Sequence, residues 1–338
     1  ICEEEKNFSE EHRQAIVGVK VLPKEAANRK IMCEITTNAG IPSDLAEMTE
    51  IPSNELSENE RNDGIVKKIC IRARGDGEFR LRACASNGQQ QVKVISSYDF
   101  VAEGLGKMYF DPYKLVAGGL YNDSVGDVGN GNEHGVSTAR DGKTIVGFRG
   151  IDFGKIGSDS ITLPIFELGG VETPIGIWDG KPGEKESRLL ITAVYQKASI
   201  WNTYQEETYL LPERLKGIHD LYFELHQKIH LKGFVFRKYP KAFECLYANE
   251  SEAIYGDQMR VTEKGVMDIG NNVTLEFSDM DFGSDGTDKI CICGRTQNEK
   301  NTIHIRFFDG EKENRQIIEF PQEDEFTMQE FKIESVFG

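Results

Sequence analysis

Hydrophobic and polar positions alternate with a period of two along most of the chain. Ile69-Cys70-Ile71-Arg72-Ala73-Arg74 runs into Gly75-Asp76-Gly77, and Glu78-Phe79-Arg80-Leu81-Arg82-Ala83-Cys84 resumes the alternation. Alternation on both sides of a Gly-Asp-Gly turn predicts a β-hairpin. Ser86-Asn87-Gly88 then turns into Gln91-Val92-Lys93-Val94-Ile95, and residues 16–22 and 31–36 are earlier candidate strands. Strands at turn spacing over roughly 100 residues predict an immunoglobulin-like sandwich, ending near residues 106–110 before Asp111-Pro112. Helical periodicity is scarce. Residues 43–63 are polar and acidic and contain Pro52, so they read as a long exposed loop holding at most a short helical turn.

The same pattern repeats inside the chain. Gly147-Phe148-Arg149-Gly150-Ile151-Asp152-Phe153-Gly154 precedes Gly157-Ser158-Asp159 and Ile161-Thr162-Leu163. Glu276-Phe277-Ser278-Asp279-Met280-Asp281-Phe282-Gly283 precedes Gly286-Thr287-Asp288 and Ile290-Cys291-Ile292. Both copies continue alike, Ile175-Gly176-Ile177-Trp178-Asp179-Gly180 answering Ile303 to Asp309-Gly310. A period of about 130 residues is too long for a solenoid and means two copies of one domain, each with its own core. The first copy runs on past Gly217 into residues 218–236 (IHDLYFELHQKIHLKGFVF), which hold at least two strands, whereas the second reaches the position of Gly217 at Gly338. The pattern therefore predicts an all-β chain of three consecutive β-sandwiches, over 1–110, 111–237 and 238–338. The last is incomplete, with an exposed apolar edge that leaves it loosened or completed by a partner.

Charge and composition narrow the partners. The 338 residues carry 56 acids against 40 bases, a formal net charge of −16. Phosphate backbones and anionic lipid surfaces select basic footprints, so neither nucleic acid nor membrane is an expected partner. No apolar run approaches the roughly 18 residues of a membrane span. With 34 glycines and 10 prolines, turns are frequent. Residue 1 is Ile and no signal peptide follows it, so the stretch reads as part of a longer or processed protein. The seven cysteines (Cys2, Cys33, Cys70, Cys84, Cys245, Cys291, Cys293) form no disulfide framework, which favours a reducing, cytoplasmic setting. Cys291 and Cys293 share one strand face, but no second ligand pair has zinc-site spacing, so no metal is expected there.

No catalytic constellation stands out. Glu206 and Glu207 are strand neighbours and point to opposite faces. His226 and His230 have helical zinc spacing without the glutamate of H-E-x-x-H and follow an alternating stretch. No G-x-S-x-G elbow is present, and the glycines of Gly126-Asp127-Val128-Gly129-Asn130-Gly131 open no helix. Asp279 to Asp285 fails the EF-hand spacing. One segment does suit sugar: Trp201-Asn202-Thr203-Tyr204-Gln205 follows a loop, and an exposed aromatic there can stack on the C–H face of a sugar ring. Tyr204, His230 and the amides of Asn130 and Asn132 can supply hydrogen bonds to its hydroxyls, if they share that rim. The alternative is a core Trp201 beside solvated histidines.

The repeat resembles family 6-type carbohydrate-binding modules, which are jelly-roll, galactose-binding-like sandwiches. The residues that carry the resemblance are Ile151-Asp152-Phe153-Gly154, Ile175 through Gly183, Trp201-Asn202-Thr203-Tyr204, Gly217-Ile218-His219-Asp220 and Leu231-Lys232-Gly233-Phe234-Val235-Phe236. Residues 111–237 match well and 238–338 in part. With the preceding Gly75-to-Arg82 and Ala102-to-Gly106 stretches, the order is similar to the C-terminal region of bacterial family 2, β-galactosidase-like glycoside hydrolases. That resemblance implies an upstream catalytic barrel and no acid/base or nucleophile in this stretch. It implies a galactoside or plant-type oligosaccharide as ligand, Trp201 as the stacking platform, and a polar residue, usually asparagine, where His230 stands. It implies a structural calcium with an acid where Lys232 stands, and a cation cannot ligate calcium, so no cofactor is expected in this segment. In the second copy Phe326 stands for the tryptophan. The expected role is accessory: carbohydrate binding, domain scaffolding or a homo-oligomer interface. Purely structural dimerisation sandwiches and a tandem-sandwich surface adhesin are the other readings.

Overall fold

The computed structural model describes residues 6–86, 93–138, 142–167, 169, 172–310 and 312–338. Cys2 and the expected turn at Asn87-Gly88 lie outside the described residues. Among the described residues the chain is all-β, with one five-residue α-helix, α1 (Glu58–Asn62), and short 3-10 turns. It divides into two compact units, Ile1–Arg237 and Lys238–Gly338.

The first unit opens with β1 (Asn7–Phe8), β2 (Gln14–Lys20), β3 (Ile31–Thr36), β4 (Ala46–Ile51), β5 (Ile65–Ala73), β6 (Gly77–Ser86) and β7 (Lys93–Ala102). They form two sheets, β1-β7-β6-β3 and β2-β5-β4. Alternation aims Phe79, Leu81 and Phe100 of the first sheet at Val17, Ile69 and Ile71 of the second. The rings of Phe8, Phe79 and Phe100 meet with centroids 5.4–5.6 Å apart.

Two local expectations change. Strands β5 and β6 do not pair as a hairpin; they lie in opposite sheets, and the Gly-Asp-Gly stretch is the corner between them. Asp76 ties that corner to the end of the sandwich. Its carboxylate accepts from the N–H groups of Leu105 (2.7 Å) and Gly106 (3.2 Å), and its own N–H donates to Gly106 O (2.9 Å). A hairpin and a sheet-to-sheet corner share one alternating pattern, so only these distant partners decide between them. Residues 43–63 are likewise not one loop. They contain β4, and α1 is opened by a capping box between Ser57 and Glu60. The acids that suggested a loop are cross-strand partners of β5 and its continuation: Glu50 meets Lys67 at 2.8 Å and Glu47 meets Arg74 at 2.8 Å.

The rest of the first unit comprises β8 (Val116–Ala117), β9 (Asp123–Val125), β10 (Val128–Asn130), β11 (Val136–Thr138), β12 (Thr144–Asp152), β13 (Ser158–Glu167), β14 (Thr173–Asp179), β15 (Arg188–Tyr195), β16 (Gln205–Leu215), β17 (Ile218–Leu225), β18 (Ile229–Leu231) and β19 (Gly233–Phe236). One sheet runs β15-β14-β17-β12-β9; the other runs β10-β11-β18-β13-β19-β8, with β16 also on β13. Strand β17 is wedged antiparallel between β14 and β12 and sends Leu221, Phe223 and Leu225 into a core of Val146, Phe148, Ile161, Leu163, Ile175 and Ile177. The turn into β17 is pinned by Phe153 N–H to Gly217 O and Gly217 N–H to Gly154 O, both 2.8 Å. Gly157 has φ +75°, and a Cβ there would run into Leu215 O, so only glycine fits.

Two charged clusters sit on this sheet. Asp123 receives Tyr222 Oη–H (3.0 Å), Lys181 Nζ (3.0 Å) and the Arg149 guanidinium. Burial works to raise its carboxyl pKa, but the bonds from Lys181, Arg149 and Tyr222 win and hold it at about 2. His219 of β17 faces an acceptor on each ring nitrogen: Asp179 at 3.0 Å on Nδ1 and Lys216 O at 3.0 Å on Nε2. The Asp179 hydrogen bond raises its pKa above the usual value of 6.5 against the opposing effect of burial. The imidazolium therefore stabilises the fold fully below pH 6.5, and that contribution fades as pH rises through the raised value. His219→Gln is expected to lower the thermal midpoint most at pH 6, with the gap from the parent narrowing toward pH 9 in a pH series of melts.

The second unit holds β20 (Ala253–Tyr255), β21 (Arg260–Thr262), β22 (Gly265–Met267), β23 (Thr274–Glu276), β24 (Thr287–Thr296), β25 (Asn301–Asp309), β26 (Lys312–Phe320) and β27 (Glu323–Val336). Among the described residues they form four two-stranded ladders, β20-β23, β21-β22, β24-β27 and β25-β26. Its closure repeats that of the first copy: Phe282 N–H donates to Gly338 O (2.6 Å) and Gly338 N–H to Gly283 O (3.2 Å). Its core is thin. Ile318, Ile333 and Val336 are buried, while Phe282, Ile290, Ile292, Ile303, Ile305 and Phe307 are only partly covered.

Candidate functional site

Strand β13 begins the site. Its Ile161, Leu163 and Ile165 face the core, so Phe166, one residue out of phase, belongs to the opposite side. It is nonetheless only 5% exposed. Three rings gather on it: Trp201 edge-to-face at 6.2 Å, Tyr204 at 6.4 Å, and His230 at 5.4 Å. His230 stands directly across from Phe166 in the β13–β18 register. The three residues read from the sequence are thus brought together, and Phe166, which that reading missed, is the ring they share. Its phase along β13 is the signal that could have found it.

Trp201 is 79% exposed and sits on the connection between β15 and β16, residues 196–204. That connection is held at several points. Ser199 Oγ donates to Glu167 O (2.5 Å), Gln205 Nε2 to Ala198 O (2.7 Å), and Thr203 N–H to Ile200 O (3.2 Å). Asn202 takes φ +53°, a left-handed conformation asparagine tolerates. Its Oδ1 accepts from Asn132 Nδ2 at 2.5 Å, and Tyr204 Oη–H donates to Asn132 O at 2.9 Å. The Asn132 loop is bent in turn, with Glu133 at φ +52° and His134 at φ +64°. Three left-handed non-glycine residues at the meeting of two loops concentrate backbone strain at this rim.

The electrostatics leave few groups free. Burial, with Glu133 nearby, pushes the Tyr204 hydroxyl up to about 12, so it remains a donor to Asn132. Lys232 lies over the Tyr204 ring at 5.8 Å and pairs with Glu133. His230 Nδ1 is buried with no hydrogen-bond partner among the described residues. Burial, then Lys228, lowers its pKa below 6.5, which keeps the ring neutral at pH 7. The exposed indole can stack on the C–H face of a sugar ring, whereas the Nδ1 of His230 is shut off from solvent.

Lys232, at the position of the calcium ligand the resemblance implies, directs its ammonium to Glu133. No group of three or more His, Cys, Asp or Glu gathers at metal-binding distance among the described residues. In the second unit only residues 321–322 join β26 to β27. The platform loop has no counterpart there. Phe326 lies within β27, 54% exposed, under the Arg295 guanidinium at 5.2 Å.

No protein-family model and no curated protein matches the chain. Among solved structures it is similar to a family 6 carbohydrate-binding module studied for its binding subsites (21% identity, 40% of this chain and 100% of that one, TM-score 0.34). It is also similar to one from Clostridium stercorarium in complex with cellobiose (20% identity, 39% and 98%, TM-score 0.34). A third is a β-1,3-glucan-binding module from Bacillus halodurans (19% identity, 39% and 100%, TM-score 0.32).

The two tryptophans of the chain differ in reach: Trp201 is open, whereas Trp178 has its Nε1 buried. Acrylamide quenching of tryptophan fluorescence should therefore resolve an accessible and a protected component, and Trp201→Phe should remove the accessible one.

Proposed function

We propose that residues 111–237 bind carbohydrate at the Trp201 rim. The observation that carries this reading is one indole, 79% exposed, packed edge-to-face on Phe166, the ring that Tyr204 and His230 also contact. Large exposed aromatics held rigid, with polar groups beside them, suit ligands that present an apolar face and a hydroxyl rim. The ligand class is a galactoside or plant-type oligosaccharide, as the family resemblance implies. The same resemblance supports an accessory, non-catalytic role in a β-galactosidase-like glycoside hydrolase, beside an upstream catalytic domain, with domain and oligomer scaffolding as its second task. The described cysteines are all free, which supports a reducing, cytoplasmic setting.

Calorimetric titration with a panel of galactosides and plant-type oligosaccharides tests the assignment. Saturable binding is expected for at least one. Trp201→Ala should weaken it by about tenfold or more, the effect of losing roughly 1.4 kcal/mol. His230→Phe should weaken it while leaving the melt unchanged. A flat panel, or binding indifferent to Trp201→Ala, overturns the assignment and leaves the sandwiches as structural modules.

A further inference from the structure

An unpaired cysteine in a strand ordinarily serves as a small core residue. Cys33, Cys70 and Cys84 follow that rule in part, each being partly buried, whereas Cys291 and Cys293 are exposed. On β24, Ile290 and Ile292 turn to the core, so the two thiols share the solvent face. Positions two apart on a strand lie about 6.6–6.8 Å from each other. The partner strand adds a third sulfur. Met328 of β27 stands directly across from Cys293, and Glu330 across from Cys291. Directly opposite residues hold their Cβ atoms about 4.5–5.5 Å apart on one face. Met328 is 58% exposed there. The Glu330 carboxylate is drawn to Lys289 Nζ at 2.8 Å, which leaves the sulfurs as the donors of the patch. Cations border it. Lys289 and Lys332 face each other across the ladder at one end, and Arg295, over the Phe326 ring at 5.2 Å, stands at the other.

The first copy shows that the frame does not call for sulfur at these places. Aligning Asp159 with Asp288 sets Thr162 and Pro164 against Cys291 and Cys293, and their cross-strand partners are Thr208 and Glu206. The core positions of this strand stay apolar in both copies, while the sulfurs occur in one. We propose that Cys291, Cys293 and Met328 form a binding site for a soft monovalent metal ion, copper(I). Thiolate and thioether donors select soft ions. Three donors are too few for a closed structural zinc site, and calcium and magnesium require oxygen. Each thiol gives its proton to solvent as its sulfur lone pair bonds the ion, so two protons leave per copper(I) and no electron moves. Two thiolates, one neutral thioether and a monovalent ion leave a single negative charge, which the bordering cations offset. The bound ion ties β24 to β27 on the face opposite a thin core.

The test titrates the full chain, reduced and under argon, against the copper(I) complex of bicinchoninate. One ion per chain should leave the chelator, with sulfur-to-copper absorption in the ultraviolet, and X-ray absorption should find sulfur alone around the copper. Cys291→Ser and Cys293→Ser together should abolish that uptake, and Cys245→Ser should leave it intact. Met328→Leu should weaken it by about tenfold, the scale on which metal sites respond to loss of a supporting group, and remove one sulfur from the coordination shell. All three side chains are on the surface, so the melts of the metal-free variants should match the parent and separate a lost site from a lost fold. Copper(I) should raise a thermal transition of the parent and not of the double variant. No uptake at one ion per chain, uptake that survives the double serine change, affinity indifferent to Met328→Leu, or displacement of the copper by zinc(II) overturns the proposal.

Discussion

The wedging of β17 between β14 and β12 is the constraint on which the rest of the first unit's second sandwich depends. It joins what would otherwise be two separate ladders into one five-stranded sheet, and it sends Leu221, Phe223 and Leu225 into the core in one stroke. The turn that delivers it is fixed by backbone bonds at Phe153, Gly154 and Gly217, where the close approach of Gly157 admits no side chain. Its outer face is also occupied, Tyr222 lying over Gly147 and donating to the Asp123 cluster, and at its start His219, on the core side against Phe153, bridges to Asp179. The second unit carries the same closure, Phe282 N–H to Gly338 O and Gly338 N–H to Gly283 O.

The rim inherits its position from that strand. Residues 226–228 lead from β17 to β18, which sets His230 across from Phe166. The ring of Phe166 then gives Trp201 and Tyr204 a floor, and the Asn132–Asn202 and Tyr204–Asn132 bonds lock two bent loops against each other. Were a ligand to stack there, as proposed, less conformational freedom would be lost on binding to a rim held in this way.

The sequence made the all-β class, the repeat and the trio Trp201, Tyr204 and His230 legible, because period-two burial and repeated turn chemistry are local signals. What it hid was long-range. The corner at Asp76 looked like a hairpin because its deciding partners, Leu105 and Gly106, lie some thirty residues away. Strand β4 looked like loop because its acids answer bases on β5 and Arg74 beyond it, and polarity alone cannot distinguish a solvated loop from a charged strand face. Phe166 was visible only as a phase error among core residues. Phe326 matched the expected aromatic by type, but alignment could not show that the loop needed to present it has shrunk to residues 321–322.

That shortened connection bears on valency. A tandem repeat ordinarily implies two grips on a polymeric ligand, with the second made nearly intramolecular by the linker. Here the loop that carries the platform occurs in one copy only, so duplication of the sandwich does not duplicate the rim.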